Sequence, residues 1–240
     1  MAITLGLEAD GGAQFNQTTT TVTFSSAPAL NDIIILSYHT GTGATAAGRT
    51  WPTGFTEFIN YDNTNVGFFS AWKRGGASEP TSYTLTLGAS TDNNQQLQGA
   101  TWSGCVTSGS PIDVNGVNHF AGFITLGTVT WAAITTVTNG AVHVLVCNAT
   151  PGPAAQPSVT SYTAMHYLNA GWLYMWQTTI STAGSTGTPS ANMTAGATYE
   201  ADTSYALRPA GAAAQDTPEL WGPMKGSLWS ARQMQQLLAT

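Results

Sequence analysis

Catalysis would start from serine, cysteine, histidine and carboxylate side chains. A nucleophilic serine needs an elbow such as G-x-S-x-G. The chain holds none, and Ser103 in TWSGCV and Ser90 in GASTD lack that context. Cys147 and His143 are the one conceivable thiol–imidazole pair. Four residues apart on a strand, they would share a face but sit roughly 13 Å apart, beyond hydrogen-bond reach. The four histidines, His39, His119, His143 and His166, show neither H-x-H nor H-E-x-x-H spacing. They read as strand histidines bonded locally.

The acidic pairs Glu8/Asp10 and Glu200/Asp202 carry no signature of facing carboxylates across a sugar. The oxygen-rich turns at Asp62–Asn65 and Asp92–Asn94 are of a kind that can hold calcium. Such turns more often cap themselves through side-chain-to-backbone bonds. Cys105 and Cys147 lack a metal spacing and read as small buried hydrophobes. No enzyme activity, no cofactor and no metal are expected.

Binding chemistry has two candidates. Lys73-Arg74 places two of the six basic residues side by side at the end of the aromatic run NVGFFSAW. That corner is a candidate contact to an acidic neighbour. Trp51, beside Pro52 in a loop, is a candidate for stacking on a glycan, because a flat ring suits the apolar face of a sugar.

The elements that must position these residues are strands. Charged residues make up 8% of the chain, against about 25% in an ordinary soluble domain. Such a surface can be covered by a neighbour without desolvating charge, which suits an assembly subunit. A secreted or adhesive β-protein would share this composition. A net charge of −6 with so few cations excludes a nucleic-acid footprint and disfavours an anionic membrane. The start MAITLGLEADGG has no basic and apolar leader, and the run Ile33–Leu36 is too short to span a bilayer. A chain made and folded in a cytoplasm is expected.

Residues 1–210 lack helical periodicity. Short Val/Ile/Thr/aromatic runs alternate with Gly/Ser/Asn/Pro breakers, the pattern of a sandwich or barrel. Predicted strands are Ile3–Glu8, Thr19–Phe24, Asp32–His39, Thr56–Tyr61, Val66–Lys73, Ser82–Leu87 and Gln95–Trp102. A second set is Gly127–Ala132, Ala141–Asn148, Thr160–Tyr167, Trp172–Ile180, Ala191–Ala195 and Thr203–Arg208.

The two sets repeat. NDIIILSYHTG aligns with NGAVHVLVCNATPG, PTGFTEFINY with QPSVTSYTAMHY, and NVGFFSAWKR with NAGWLYMWQT, Trp72 falling on Trp176. SEPTSYTLTL then aligns with STGTPSANMTA, and LQGATWSG with SYALRPAG. A shared tryptophan position favours core packing for both rings. The expectation is an all-β, jelly-roll-like antiparallel β-sandwich over 1–210, built from pseudo-repeats at about 20–105 and 127–210. Whether the halves form the two sheets of one sandwich or two small sandwiches is open, with one body preferred.

Residues 211–240 differ. An Ala/Gly/Pro-rich arm leads into SLWSARQMQQLLAT, which turns helical with Ser227 as cap. Trp229, Met234, Leu237 and Leu238 roughly share a face, and Trp221 precedes them. A helix this short needs a surface to pack on. These five residues are the candidate subunit interface, with Lys73 and Arg74.

The repeat unit resembles a β-sandwich module of tailed-phage and prophage structural proteins. The matching marks are Asn31-Asp32 before an apolar strand, the Pro52–Thr56 turn, the aromatic strand Phe68–Arg74, Ser78–Leu85, and Ser110–Asp113. The segment Tyr205–Gly211 matches what closes such modules. The resemblance covers residues 20–211 and brings no catalytic residues. It implies a virion component, foremost a head decoration (cement) protein bound to the major capsid protein or other virion proteins. A homo-oligomer is expected, and a trimer would suit three-fold capsid positions by analogy. The alternative is an adhesion or receptor-binding module on the head or tail, recognising host glycans. Neither direct nucleic-acid contact nor a membrane enters either reading.

Overall fold

A computed structural model gives the architecture; it describes residues 1–40, 48–63, 66–88, 95–116, 119–125, 128–150, 156–165, 173–193 and 198–211. Among them the chain is all-β and antiparallel, with no helix. The first half carries β1 (Thr4–Asp10), β2 (Thr19–Thr23), β3 (Ile33–Thr40), β4 (Thr56–Asn63), β5 (Val66–Arg74), β6 (Ser82–Thr86) and β7 (Gln95–Ser103). The second carries β8 (Ile112–Asn115), β9 (His119–Thr125), β10 (Thr128–Thr130), β11 (Ala141–Thr150) and β12 (Thr163–Ala164). It closes with β13 (Leu173–Ile180), β14 (Ser190–Asn192) and β15 (Thr198–Leu207). Strands β8 and β9 lie between the two sets of strands predicted from sequence. The predicted tail falls outside the described residues.

Pairing is nested. In the first half β1 pairs β7, β2 pairs β6 and β3 pairs β5; β4 then closes the edge beside β5. The second half repeats this with β8 and β9 on β15, β10 on β14, and β11 on β13, closed by β12.

The sheets stack in layers. The order β1-β7-β3-β5-β4 faces the order β12-β13-β11-β15-β8, and each of these sheets is covered outside by its own two-stranded sheet, β2-β6 or β10-β14. Each half is thus a small sandwich, and the two pack back to back. This layering explains a strand pattern. β3 reads IIILSYHT and is buried along both faces, because it lies between two layers. β2 and β6 alternate exposed and buried, because only one face of each is covered.

Between the large sheets, Ile33, Ile35 and Trp102 pack against Val142, Val144, Val146, Leu173 and Leu207. Outside the first sheet, Val22, Phe24, Tyr83 and Leu85 cover Ile34, Leu36, Phe69 and Leu97. Outside the second, Val129, Trp131, Val159 and Met193 cover Leu145, Tyr174 and Trp176. Gly99 lets the first outer layer approach: a Cβ there would meet Phe24 Cζ at 2.7 Å. Gly75 does the same at a turn, where a Cβ would lie 2.3 Å from the Ala29 carbonyl oxygen.

The register corrects one expectation. Ile35 pairs with Trp72 and faces the inter-sheet core, whereas Leu145 pairs with Trp176 and faces the outer layer. The two tryptophans therefore point to opposite sides of their sheets and are not equivalent. Gln177, not Trp176, takes the inward face. Aligning the rings by identity slips the register by one, and with a side-chain period of two a single slip exchanges the faces.

Candidate functional site

One end of the inter-sheet layer is polar. Ser37 and Ser70 bond to each other at 2.9 Å. Gln96 and Gln98 both donate to Asp10 Oδ2, at 2.6 and 3.0 Å. Both also reach the second half at Leu173: Gln98 donates to its carbonyl at 2.9 Å, and its N–H donates to Gln96 Oε1 at 2.9 Å. The Asn148 amide donates to His39 Nε2 at 2.7 Å. Burial pushes the His39 pKa down to about 3, with a backbone bond at Gly67 opposing it weakly, so the ring is neutral. The network joins the two halves through side-chain hydrogen bonds.

The other candidates for chemistry lie apart. His143 faces the outer layer, where Nδ1 meets the Tyr162 hydroxyl at 2.7 Å, and burial lowers its pKa to about 4. Cys105 and Cys147 are buried thiols with no disulfide. Burial pushes the Cys105 thiol up to about 12, against the opposing charge of Arg74, so it is not poised as a thiolate. His166, Thr64–Asn65 and Asp92–Asn94 lie outside the described residues. Among the described residues, no group of three His, Cys, Asp or Glu is placed to hold a metal ion. No described helix is long and apolar enough to cross a membrane.

The Lys73–Arg74 corner is used by the chain itself. Lys73 Nζ donates to Glu79 Oε2 at 2.7 Å, and the same oxygen accepts from the Tyr83 hydroxyl at 2.8 Å. Gly76 N–H donates to Glu79 Oε1 at 2.8 Å. Burial alone would raise the Glu79 carboxyl; these bonds outweigh it and hold it below the ordinary glutamate value. Arg74 donates to the Val106 carbonyl and, at 3.1 Å, to that of Gly109. Its guanidinium thereby ties β5 to the segment that leads into the second half.

Trp51 is half-buried against the outer core of the first half, and its indole N–H donates to Glu57 Oε2 at 2.7 Å. Arg49 grips the same carboxylate with two bonds of 2.7 Å and lies 3.7 Å over the Phe69 ring. Arg208 pairs with Asp113 at 3.4 Å. Every basic side chain among the described residues is thus bonded to an acceptor of the chain. The predicted interface residues Trp221, Trp229, Met234, Leu237 and Leu238 lie outside the described residues.

The surface holds what sequence reasoning missed. Thr19, Thr21 and Thr23 of β2 stand opposite Thr86, Thr84 and Ser82 of β6, all exposed. Their hydroxyls bond in rungs, Thr21 to Thr84 at 2.7 Å and Thr23 to Ser82 at 2.9 Å. On the opposite side of the molecule, Thr128, Thr130, Ser190 and Asn192 face outward from β10 and β14. Neither row carries a charge. The alternation of threonine with apolar residues in TTTVT was the available signal. A scan against protein-family models gives no match, and searches of curated proteins and of solved structures find no similar chain.

Proposed function

We propose that the chain is a structural protein of a phage particle, decorating the head and stabilising it through contacts with coat subunits. The observation that carries this reading is the pair of uncharged hydroxyl rows on the two outer sheets. Covering such a face against a neighbour removes no charge from water, so desolvation opposes docking only weakly. The internal bonding of the described basic side chains acts in the same direction, leaving the surface poor in cations. Specific contacts of this kind require about 1,200–2,000 Å² of buried surface. The outer sheets and the segment beyond residue 211 together are the surfaces assigned to it.

The test is occupancy. Particles assembled with a chain lacking residues 212–240 are expected to lose bound copies and to rupture at lower temperature. Substituting Thr21 and Thr84 by glutamate is expected to weaken docking through the outer face while leaving the isolated fold intact. Full occupancy and unchanged heat stability in both cases would remove this reading.

A further inference from the structure

The sequence contains two Asn-Gly pairs, Asn115-Gly116 and Asn139-Gly140. Asparagine followed by glycine is prone to spontaneous deamidation, because no side chain crowds the attacking glycine nitrogen. We propose that Asn139-Gly140 is a modification site of this chain, deamidating when one exposed turn opens, whereas the fold keeps Asn115-Gly116 shut. The inference goes beyond the decoration reading and does not depend on it.

The reaction needs only water as co-reactant. The Gly140 nitrogen attacks Asn139 Cγ, the new C–N bond closes a succinimide ring, and the Cγ–Nδ2 bond breaks. The side-chain nitrogen leaves as ammonia, carrying the proton given up by Gly140. Water then opens the ring at either carbonyl, giving aspartate or isoaspartate. The attack requires an unbonded Gly140 nitrogen and a side chain turned toward it.

Both pairs are held in the folded chain. Gly140 N–H donates to the Ile180 carbonyl at 2.9 Å, and Asn139 Oδ1 accepts from the Ala183 N–H at 2.7 Å. Gly116 N–H donates to the Ser204 carbonyl at 2.7 Å, and Asn115 Nδ2 donates to the Phe58 carbonyl at 3.2 Å. These bonds hold each nitrogen and each side chain away from the geometry of attack. Reaction therefore waits on local opening, and the two pairs differ in how much structure must open.

Gly116 lies against a buried strand. A Cβ there would meet Ser204 Oγ at 2.5 Å and the Ser204 carbonyl oxygen at 2.8 Å, and Ser204 of β15 is only 3% exposed. A succinimide at this place needs the end of β8 to leave β15. Gly140 has open surroundings: apart from its chain neighbours, the nearest atom to an added Cβ is Pro209 Cγ at 3.8 Å. Asn139 is exposed in the turn ahead of β11, where losing the bonds to Ile180 and Ala183 releases both reacting groups. Gly140 adopts a φ of 76°, so the turn itself favours glycine after Asn139. The product bears on the fold. Aspartate keeps an oxygen for the Ala183 N–H, whereas isoaspartate threads an extra methylene into the main chain directly before Ala141, fully buried at the start of β11.

The test incubates the full chain in mildly alkaline buffer, with and without denaturing urea, and follows each Asn-Gly pair by peptide mapping and mass spectrometry. In the folded chain Asn139 is expected to convert about tenfold faster than Asn115, since its opening is the smaller one. In urea both are expected to convert faster, and within about threefold of each other, since the same dipeptide is then equally exposed. Ala183→Pro removes the N–H that holds Asn139 Oδ1 and is expected to speed conversion at Asn139 but not at Asn115. Asn139→Asp, the hydrolysis product, is expected to keep the melting temperature. Melting temperatures of both variants separate local opening from loss of the fold, and the comparison of the two pairs in the unaltered chain stands without them. Equal rates in the folded chain, a faster Asn115, or no conversion of folded Asn139 overturns the proposal. So does a folded rate at Asn139 as high as in urea, or an unchanged rate in a folded Ala183→Pro chain.

Discussion

Trp102 of β7 donates its indole N–H to Gln177 Oε1 of β13 at 2.9 Å, across the interface between the two halves. The ring is fully buried in the shared core, and the bond satisfies its one polar atom there. Gln177 occupies the inward position that a sequence alignment would give to Trp176. A large ring from one half thus requires a small polar partner from the other. Gln177→Ala removes that partner and is expected to cost about 1–3 kcal/mol. Trp102→Ala adds a cavity and is expected to cost about 3–5 kcal/mol. Urea unfolding of the two single variants and the double variant measures both; additive losses would contradict the coupling.

Acid should loosen the fold through its buried histidines. In the unfolded chain each histidine takes up a proton near 6.5, whereas burial holds folded His39 and His143 off until about 3 and about 4. Below 6.5 the unfolded state therefore binds more protons, and stability falls with pH. Each histidine contributes a slope of about 1.4 kcal/mol per pH unit once well below 6.5, ending near its folded pKa. Urea midpoints between pH 7 and 5 read this out, and a flat profile would contradict the burial of both rings.

Gly99 sets the distance between the first sheet and its outer cover. Gly99→Ala would drive a methyl group against Phe24 Cζ and Val22 Cγ2, at 2.7 and 3.0 Å. Overpacking of this kind costs about 1–3 kcal/mol. Adding Phe24→Leu should return part of that loss, since it removes the nearer atom. Thermal melts of the single and double variants decide it.

Lys73 should matter to stability rather than to binding alone. Its partner Glu79 has a side chain only 4% exposed, while Lys73 is 23% exposed. Lys73→Ala leaves a buried carboxylate with its Gly76 and Tyr83 bonds but without its cation. The expected loss is about 1–2 kcal/mol. The Glu79 carboxyl should also titrate at higher pH, visible by NMR. Lys73→Ala with Glu79→Gln should cost less than Lys73→Ala alone, because the stranded charge is gone.

Much of the fold was legible. Period-two alternation marked β2 and β6, and Gly/Asn/Pro breakers bounded β3, β5 and β7 within a residue or two. The nested repeat was visible as matched segments in matched order. Strands β8 and β9 were missed because IDVN is only four residues long and HFAGFIT does not alternate strictly and is interrupted by Gly122; pairing with β15 makes them strands. The Trp72–Trp176 equivalence failed because residue identity outweighed the face each strand presents. Trp51 and Lys73-Arg74 were singled out by type. Their partners, Glu57, Glu79 and the Val106 carbonyl, are supplied by neighbouring turns and strands whose approach sequence distance does not report.

The sequence alone determined that this chain forms antiparallel strands in two related sets and is poor in charge. Alternation, turn residues and composition are local properties, and they are written residue by residue. Only the tertiary structure decided that each set covers itself with a two-stranded sheet and that the sets then pack back to back. Only it decided which tryptophan enters the shared core and that the basic corner is spent internally. Those outcomes depend on which face of each strand meets which layer, and a single-residue shift in register reverses them.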